Sequence, residues 1–358
     1  MQITPQQLKQ KIQNKENILL LDVRSPAEYA NWSIQGSVNI PLQMLTMKLN
    51  DIPKDKEIIT ICSHGMRSAR ATEILQSLGY NAKTVFGGMA AWNTVYDLVP
   101  LIDKDIKLFQ IKRVGKGCLG YIIISKGHAA IIDPSANINE YLEMANRFNC
   151  KITGIIDTHQ HADHVSGSRL LQQETNGKLF INSKDGYNFS GFQNLSDNKS
   201  IVIGDATIEV LETPGHTPGS TSLMINNEFL LTGDVLFIDG IARPDLKDKS
   251  EEYAGILYDT HQNKILNLSD KIKILPAHCR DASILGWPVF QTLDSIVKNN
   301  RVFELSKNEF VKYVVANIPM KPQNYEHVIA ANKGELDLTE DEIMELEFGA
   351  NRCVLPTR

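Results

Sequence analysis

The stretch THQHADH at residues 158–164 decides how this chain is read. It gathers three of the nine histidines in 358 residues, with an aspartate between them. It follows KITGIID, an apolar run of strand character. Imidazoles and a carboxylate crowded onto a loop at a strand end are costly to bury unpaired. A divalent cation removes that cost, and neutral imidazole with carboxylate suits zinc or ferrous iron. His159, His161, Asp163 and His164 are therefore candidate ligands.

Other ligand-type residues stand where further strand-like runs end. ETPGHTPGS sets His216 in a turn framed by glycine and proline, LLTGDVLF sets Asp234 after an apolar run, and KILPAH sets His278 after another. Between and around them lie many short β-rich runs, among them FQIKR, GYIIIS, HAAIID, KLFIN and ATIEVLE. Residues 137–149 and 287–300 read as helices, and the tail from residue 250 onward is helix-rich. Strands with helices interposed predict a layered α/β sandwich.

The first hundred residues have a different texture. ILLLDV (18–23) and EIITIC (57–62) read as buried parallel strands. SARATEILQSLGY (68–80) reads as a helix stopped by Gly79, and KTVF (83–86) as a further strand. Together they predict a small α/β domain with a parallel sheet. The charged stretch LVPLIDKDIK (98–107) is the expected linker, which divides the chain into residues 1–100 and 105–358.

Cys62 ends one of those strands and opens SHGMRS ahead of the helix. Backbone N–H groups at a strand-to-helix turn converge on the helix N-terminus and favour an anion there. A sulfur so placed is expected to be stabilised as thiolate, and to carry a second sulfur as persulfide under the same donors. Gly65 permits the tight loop, and Arg67 adds a fixed positive charge.

Length favours two domains. Hydrophobic residues at 42% and charged residues at 22% fit a soluble globular protein. A net charge of −5 argues against a nucleic-acid groove as the main purpose. The polar N-terminus and strand-length apolar runs give no expectation of a secretory signal or a membrane span. Cys62, Cys118, Cys150, Cys279 and Cys353 are odd in number and scattered, so no disulfide framework is expected. Free thiols suit a reducing cytoplasm, the expected location.

LLLDVRSPAEYANWSIQGSVNIPL, CSHGMRS and GYNAKTVFGGMAAW together resemble the rhodanese family over most of residues 1–95. The resemblance implies that Cys62 carries a sulfane sulfur. It implies a cradle of loop amides at residues 63–67, that is Ser63, His64, Gly65, Met66 and Arg67, with Arg67 in a catalytic role. Asp22 and Arg24 match the family's signature positions and are expected to form a structural pair supporting the loop.

From residue 105 to the end, the histidine-rich stretch with His216, Asp234 and His278 resembles the metallo-β-lactamase superfamily. That implies an αββα sandwich with metal at the edge between its sheets. One site would use His159, His161, His216 and Asp234; the other would use Asp163, His164, His278 and the shared Asp234. Within the superfamily two activities compete. One is a dinuclear zinc thioester hydrolase similar to glyoxalase II. The other resembles the persulfide dioxygenases, which hold one Fe(II) per chain with two histidines and an aspartate, here His159, His216 and Asp234. His161, Asp163, His164 and His278 would then surround the iron or form a partly used second site.

Three features favour the dioxygenase resemblance. Alanine precedes the aspartate in THQHADH, and Arg243 and Asp245 in ARPD follow Asp234 at the family's spacing. The segment EFVKYVVANIPMKPQNYEHVIAAN (309–332) resembles the family's C-terminal helix and Pro-Lys-Pro…Ala-Asn ending. Tyr258 and Arg301 fall near positions where the family binds the glutathione part of its substrate, and with Arg243 and Asp245 they are the expected substrate-binding residues. One departure is plain: Cys279 and Arg280 follow His278 where the family tends to have Asp-Tyr, which puts a thiol and a cation near the iron and substrate preference in question.

The expected protein oxidises glutathione persulfide, or another thiol persulfide, with O2 to sulfite. Sulfite then accepts sulfur from Cys62 to give thiosulfate. Its partners are small molecules, with neither nucleic acid nor membrane among them, and a homodimer is compatible with the sequence. A non-enzymatic alternative, a rhodanese-like docking module on an inert scaffold, is disfavoured by the intact Cys62 loop.

Overall fold

The computed structural model describes residues 1–244, 249–279, 284–318, 321, 324–349 and 353–356. Its first sheet is all parallel, in the order β1 (Gln2–Ile3), β5 (Ala82–Val85), β4 (Glu57–Ile61), β2 (Ile18–Asp22), β3 (Val38–Asn39). Leu20, Ile59 and Ile61 bury one face and Leu21, Ile58 and Cys62 the other, so both faces are covered, as a parallel sheet requires. The expected helix runs Met66–Ser77, two residues ahead of the sequence reading, because the N-cap is Gly65 at φ 97°. After β2 the chain turns on a buried ion pair. Arg24 Nη2 sits 2.7 Å from Asp22 Oδ2, and Nε reaches both carboxylate oxygens at 3.1 and 3.0 Å.

The second sheet runs β12 (Phe192–Asn194), β11 (Lys178–Ile181), β10 (Lys151–Ile156), β9 (His128–Ile132), β8 (Cys118–Ser125), β7 (Ile106–Arg113), β6 (Tyr96–Asp103). The third runs β13 (Ser200–Ile203), β14 (Ala206–Glu212), β15 (Thr221–Ile225), β16 (Phe229–Gly233), β18 (Lys273–Pro276), β19 (Gln291–Thr292). A short pair, β17 (Gly240–Ala242) with β20 (Val354–Pro356), ties down the C-terminal segment.

Side-chain alternation along β8 builds the layers. Leu119, Tyr121 and Ile123 point into the core between the two large sheets, where Ile208, Val210, Leu223 and Leu231 meet them. Ile122 and Ile124 point outward, under Tyr141, Met144 and Leu171 of helices Asn139–Arg147 and Ser168–Thr175. On the far side Leu230 and Ile274 are covered by Leu257, Ile296 and Phe310 of helices Ser250–Thr260, Leu293–Lys298 and Lys307–Ala316. This is the expected helix–sheet–sheet–helix sandwich.

Two expectations are corrected. The stretch 98–107 is no linker: it forms most of β6, the turn and the start of β7, an antiparallel hairpin of the second sheet. Val99 and Leu108 are buried, and the charges of 103–105 sit at the exposed turn. The helix expected over 287–300 is cut to Leu293–Lys298, because Thr292 adopts an extended conformation and accepts from Ser295 N–H as N-cap.

The two halves meet in an apolar cluster. Val114, Leu285 and Phe348 pack with Ile3, Leu8, Trp32 and Trp92 of the first domain. Trp32 Nε1 donates to Gly115 O at 2.7 Å, and Arg113 Nε donates to Asn93 O at 2.7 Å.

Arg24 and Asp22 are 2% and 0% exposed, so removing one leaves the other charged and buried. Arg24→Ala is expected to lower the unfolding free energy by about 3–5 kcal/mol. Denaturant titration followed by fluorescence checks this; a loss under about 1 kcal/mol would mean the pair is dispensable.

Candidate metal centre and sulfur loop

Buried carboxylates hold the histidine loop in place. Asp133, which ends β9, accepts from Thr158 N–H at 2.7 Å. Asp157 accepts from the Ser166 and Ser168 hydroxyls at 2.8 and 2.6 Å. Asp185 joins this loop to the His216 turn, accepting from Gln160 N–H at 2.9 Å, Gly219 N–H at 2.7 Å and Thr217 Oγ1 at 3.0 Å. Asn332 closes the loop from the C-terminal helix. Its Nδ2 donates to the carbonyls of His161 and His164 at 2.9 Å each, and its Oδ1 accepts from Ser166 N–H at 2.8 Å.

β16 ends at Gly233, where φ is +53° and an added Cβ would lie 2.7 Å from Thr158 Oγ1. Only glycine lets the strands carrying His159 and Asp234 approach this closely.

His159, His216 and Asp234 come together, each with one ligand atom within 4.8 Å of the others'. His159 Nε2 lies 3.7 Å from Asp234 Oδ2, and His216 Nε2 lies 3.6 Å from the same oxygen. All three atoms are buried and none has a hydrogen-bond partner. The opposite atoms are anchored: His159 Nδ1 on Thr158 Oγ1 at 2.9 Å, His216 Nδ1 on the Arg243 carbonyl at 2.9 Å, and Asp234 Oδ1 on His278 Nδ1 at 2.5 Å. Burial, helped by His161, holds His159 well below the ordinary imidazole range, so it is a neutral ligand.

His161 is directed elsewhere. Its Nε2 faces Asp133 at 3.2 Å and Asp157 at 4.0 Å, although its Nδ1 is buried and unpartnered. Of the four residues expected for that site, His159, His216 and Asp234 share one point, and His161 groups with Asp133 and Asp157.

Asp163, His164 and His278 form a second set, joined by Cys118. Here most groups satisfy one another. His278 Nε2 donates to Asp163 Oδ2 at 2.8 Å, Cys118 Sγ lies 3.2 Å from the same oxygen, and His164 Nδ1 is 3.1 Å from it. His278 has carboxylates at both ring nitrogens. Burial pulls its pKa down, but Asp234 and Asp163 raise it well above the usual range. Cys353 closes a third grouping with Asp234 and His278.

Of the expected substrate residues, three lie among the described residues. Arg243 is fully buried, and its backbone carbonyl fixes the His216 ring. Tyr258 is half-buried edge-on against Phe310, and Arg301 is exposed at the start of a short helix, Arg301–Glu304. Cys279 is half-buried, its N–H on the Gly117 carbonyl at 3.0 Å. Asp245 and Arg280 lie outside the described residues, as does part of the Pro-Met-Lys-Pro segment at 319–322.

In the sulfur loop, Cys62 Sγ accepts from Gly65 N–H at 3.2 Å and from Ser68 N–H at 3.4 Å. The cradle thus reaches Ser68, one residue beyond the expected 63–67. The Gly87–Gly88 turn supports it from behind. Met89 N–H donates to the Cys62 carbonyl at 2.8 Å, and a Cβ on Gly88 would sit 2.2 Å from that oxygen. Arg67 does not stand free beside the sulfur. Its guanidinium forks onto Glu28 at 2.9 and 2.7 Å, with Ser63 Oγ at 2.9 Å. The Arg67 hydrogen bond carries Glu28 well below the usual carboxylate range. His64 and Met66 are exposed at the loop mouth.

Comparison with known proteins agrees with this geometry. Residues 4–94 match the rhodanese-like domain and residues 114–278 match the metallo-beta-lactamase superfamily. The mitochondrial persulfide dioxygenase ETHE1 of Homo sapiens is 31% identical over 210 residues, which cover 57% of this chain and 78% of that protein. The chain belongs to the metallo-beta-lactamase superfamily and carries a rhodanese domain at its N-terminus. A sulfurtransferase of Allochromatium vinosum is 33% identical over 92 residues, covering 25% of this chain and 86% of that one. The probable polyketide biosynthesis zinc-dependent hydrolase BaeB of Bacillus velezensis is 27% identical over 221 residues, covering 59% and 94%. A metallo-beta-lactamase fold implies a divalent metal, and the residues present fit one. Three buried, unpartnered ligand atoms from three separate segments converge on one point.

Sequence reasoning missed Cys118, Cys353, Asp133, Asp157, Asp185, Asn332 and Glu28. Asp133 and Asp157 each follow an apolar strand, the same signal that marked Asp234. Glu28 stands three residues after Ser25 in a capping box, a legible pattern. Nothing in the spacing points to Cys118 or Cys353.

Asn332→Leu removes three hydrogen bonds that shape the ligand loop. It is expected to weaken metal binding by roughly 10–100-fold, as loss of an outer support does in other metal sites. Chelator competition on the folded variant measures this; unchanged affinity would show that the loop keeps its shape unaided.

Proposed function

We propose that the metallo-beta-lactamase domain oxidises a thiol persulfide, glutathione persulfide in the first instance, at one Fe(II) held by His159, His216 and Asp234. The rhodanese domain then moves sulfane sulfur through Cys62. The observation that supports a single cation is the asymmetry between the two ligand sets. His159 Nε2, His216 Nε2 and Asp234 Oδ2 lack partners, whereas Asp163 and His278 are bonded to each other.

When bound, ferrous iron with three protein ligands leaves positions for the substrate sulfur and O2. The protein's own groups do the rest. The Arg243 carbonyl and Thr158 orient the two imidazoles. His278 holds the spare oxygen of Asp234, so that Oδ2 faces inward. A positive imidazolium in place of a second cation balances Asp163 and Asp234. The overall change converts one persulfide, one O2 and one water into the thiol and sulfite. Sulfite takes the outer sulfur of a Cys62 persulfide, the S–S bond breaks, and the Cys62 thiol and thiosulfate result. The Gly65 and Ser68 amides hold the Cys62 sulfur during this exchange. Tethering both activities in one chain raises the local concentration of sulfite at Cys62.

A dinuclear zinc hydrolase is the second reading, favoured by the unpartnered Nε2 of His164 beside Asp163. Oxygen uptake separates the two. The iron-loaded protein is expected to consume O2 with glutathione persulfide, and His216→Ala to lose at least ~100-fold of that rate, the scale of an essential group. Cys62→Ala should abolish thiosulfate-to-cyanide sulfur transfer and leave oxygen uptake intact. Absent uptake combined with rapid thioester cleavage would establish the hydrolase instead.

A further inference from the structure

Two consecutive residues near the C-terminus touch both centres. Glu347 is 2% exposed. Its Oε1 accepts from Val165 N–H at 2.6 Å, directly after His164 in the ligand loop, and its Oε2 pairs with Arg113 at 2.6 Å. Its carbonyl accepts from Asn93 Nδ2 of the rhodanese domain at 3.1 Å and from Lys116 Nζ at 2.7 Å. Phe348, the next residue, stacks on the His64 ring with centroids 5.1 Å apart and planes 19° from parallel. It also meets Trp32 edge-on at 5.2 Å. His64 is two residues from Cys62, at the mouth of the sulfur loop. The path from ligand loop to sulfur loop therefore runs through one carboxylate, one peptide bond and one aromatic stack.

These contacts cannot move independently. A buried carboxylate bonded to an amide and a guanidinium has one low-energy position, because displacement would strand a charge in low dielectric. Its neighbour's ring is then fixed to within a single residue's rotation. A shift of His64 when Cys62 takes on a second sulfur is transmitted to Phe348, and from there to the segment that caps Val165.

We propose that Glu347 and Phe348 are positioning residues shared by the two centres, so that loading of Cys62 and occupation of the metal site alter one another. This rests on the functional reading above for what the centres bind. The coupling itself is read in affinity and not in turnover. Linkage makes it reciprocal: whatever factor persulfide loading imposes on metal affinity, the metal imposes on loading.

The test is Fe(II) affinity of the full chain, by chelator competition without oxygen, before and after Cys62 is loaded from thiosulfate and desalted. Cys62→Ala treated identically is the blank. Loading is expected to shift the Fe(II) dissociation constant by about fivefold or more, the lower range of measured couplings. In Phe348→Ala that ratio should fall to one, and Phe348→Tyr, which keeps the ring, should restore it. His64→Ala removes the other half of the stack at an exposed position and should also bring the ratio to one. A shift under about twofold in the unaltered chain, or one that survives in both Ala variants, overturns the proposal. A chain that binds only Zn(II), or turns over no persulfide, overturns the functional reading and still returns a ratio when titrated with Zn(II).

Discussion

His278 stands between two buried carboxylates and donates to both, at 2.8 Å to Asp163 and 2.5 Å to Asp234. The rest of the metal centre depends on that arrangement. It places the His278 ring between Asp163 and Asp234. It also engages one oxygen of Asp234 and leaves the other facing His159 and His216. Burying an unpaired carboxylate oxygen and two imidazole lone pairs costs free energy that a single cation returns.

The sandwich exists to make that point of convergence. β10, β16 and β18 run out at the same edge of two facing sheets and deliver His159, Asp234 and His278, while the β14–β15 turn delivers His216. Asp185 and Asn332 then lock the loops between them. The sulfur loop follows the same logic on a smaller scale. Backbone donors are aimed by a helix start, and the loop is backed by glycines that allow the chain to approach. Asp22, paired across the sheet with Ile61 just before Cys62, links through Arg24 and the Ser25 cap to Glu28 and Arg67 beside the sulfur loop.

Much of this was legible in the sequence because the signals are local. Strand ends followed by His or Asp gave the candidate ligands, and a cysteine between strand and helix gave the sulfur loop; the triad came from the family resemblance. Many short strands with helices interposed gave the layers. What was not legible depends on long-range partners. The orientation of His161 is set partly by Asp133, which follows a neighbouring strand, together with Asp157 four residues before it. Cys118 joins Asp163 because β8 bridges to His278, and Cys353 arrives on a C-terminal strand that pairs with β17. The stretch 98–107 looked like a linker because its charges are clustered, yet those charges form only the turn of a hairpin. That the main-chain oxygen of Arg243 orients the His216 ring was not legible either, because it depends on a partner 27 residues away.

The central claim is that one cation, and only one, belongs in this domain. Anomalous diffraction from crystals of the protein purified without added metal tests it most directly, with data collected at the iron and zinc absorption edges. The account predicts a single iron peak within coordination distance of His159 Nε2, His216 Nε2 and Asp234 Oδ2, with His278 still bonded to Asp163. Two zinc peaks, the second drawing Asp163, His164 and His278 apart to become its ligands, would contradict it.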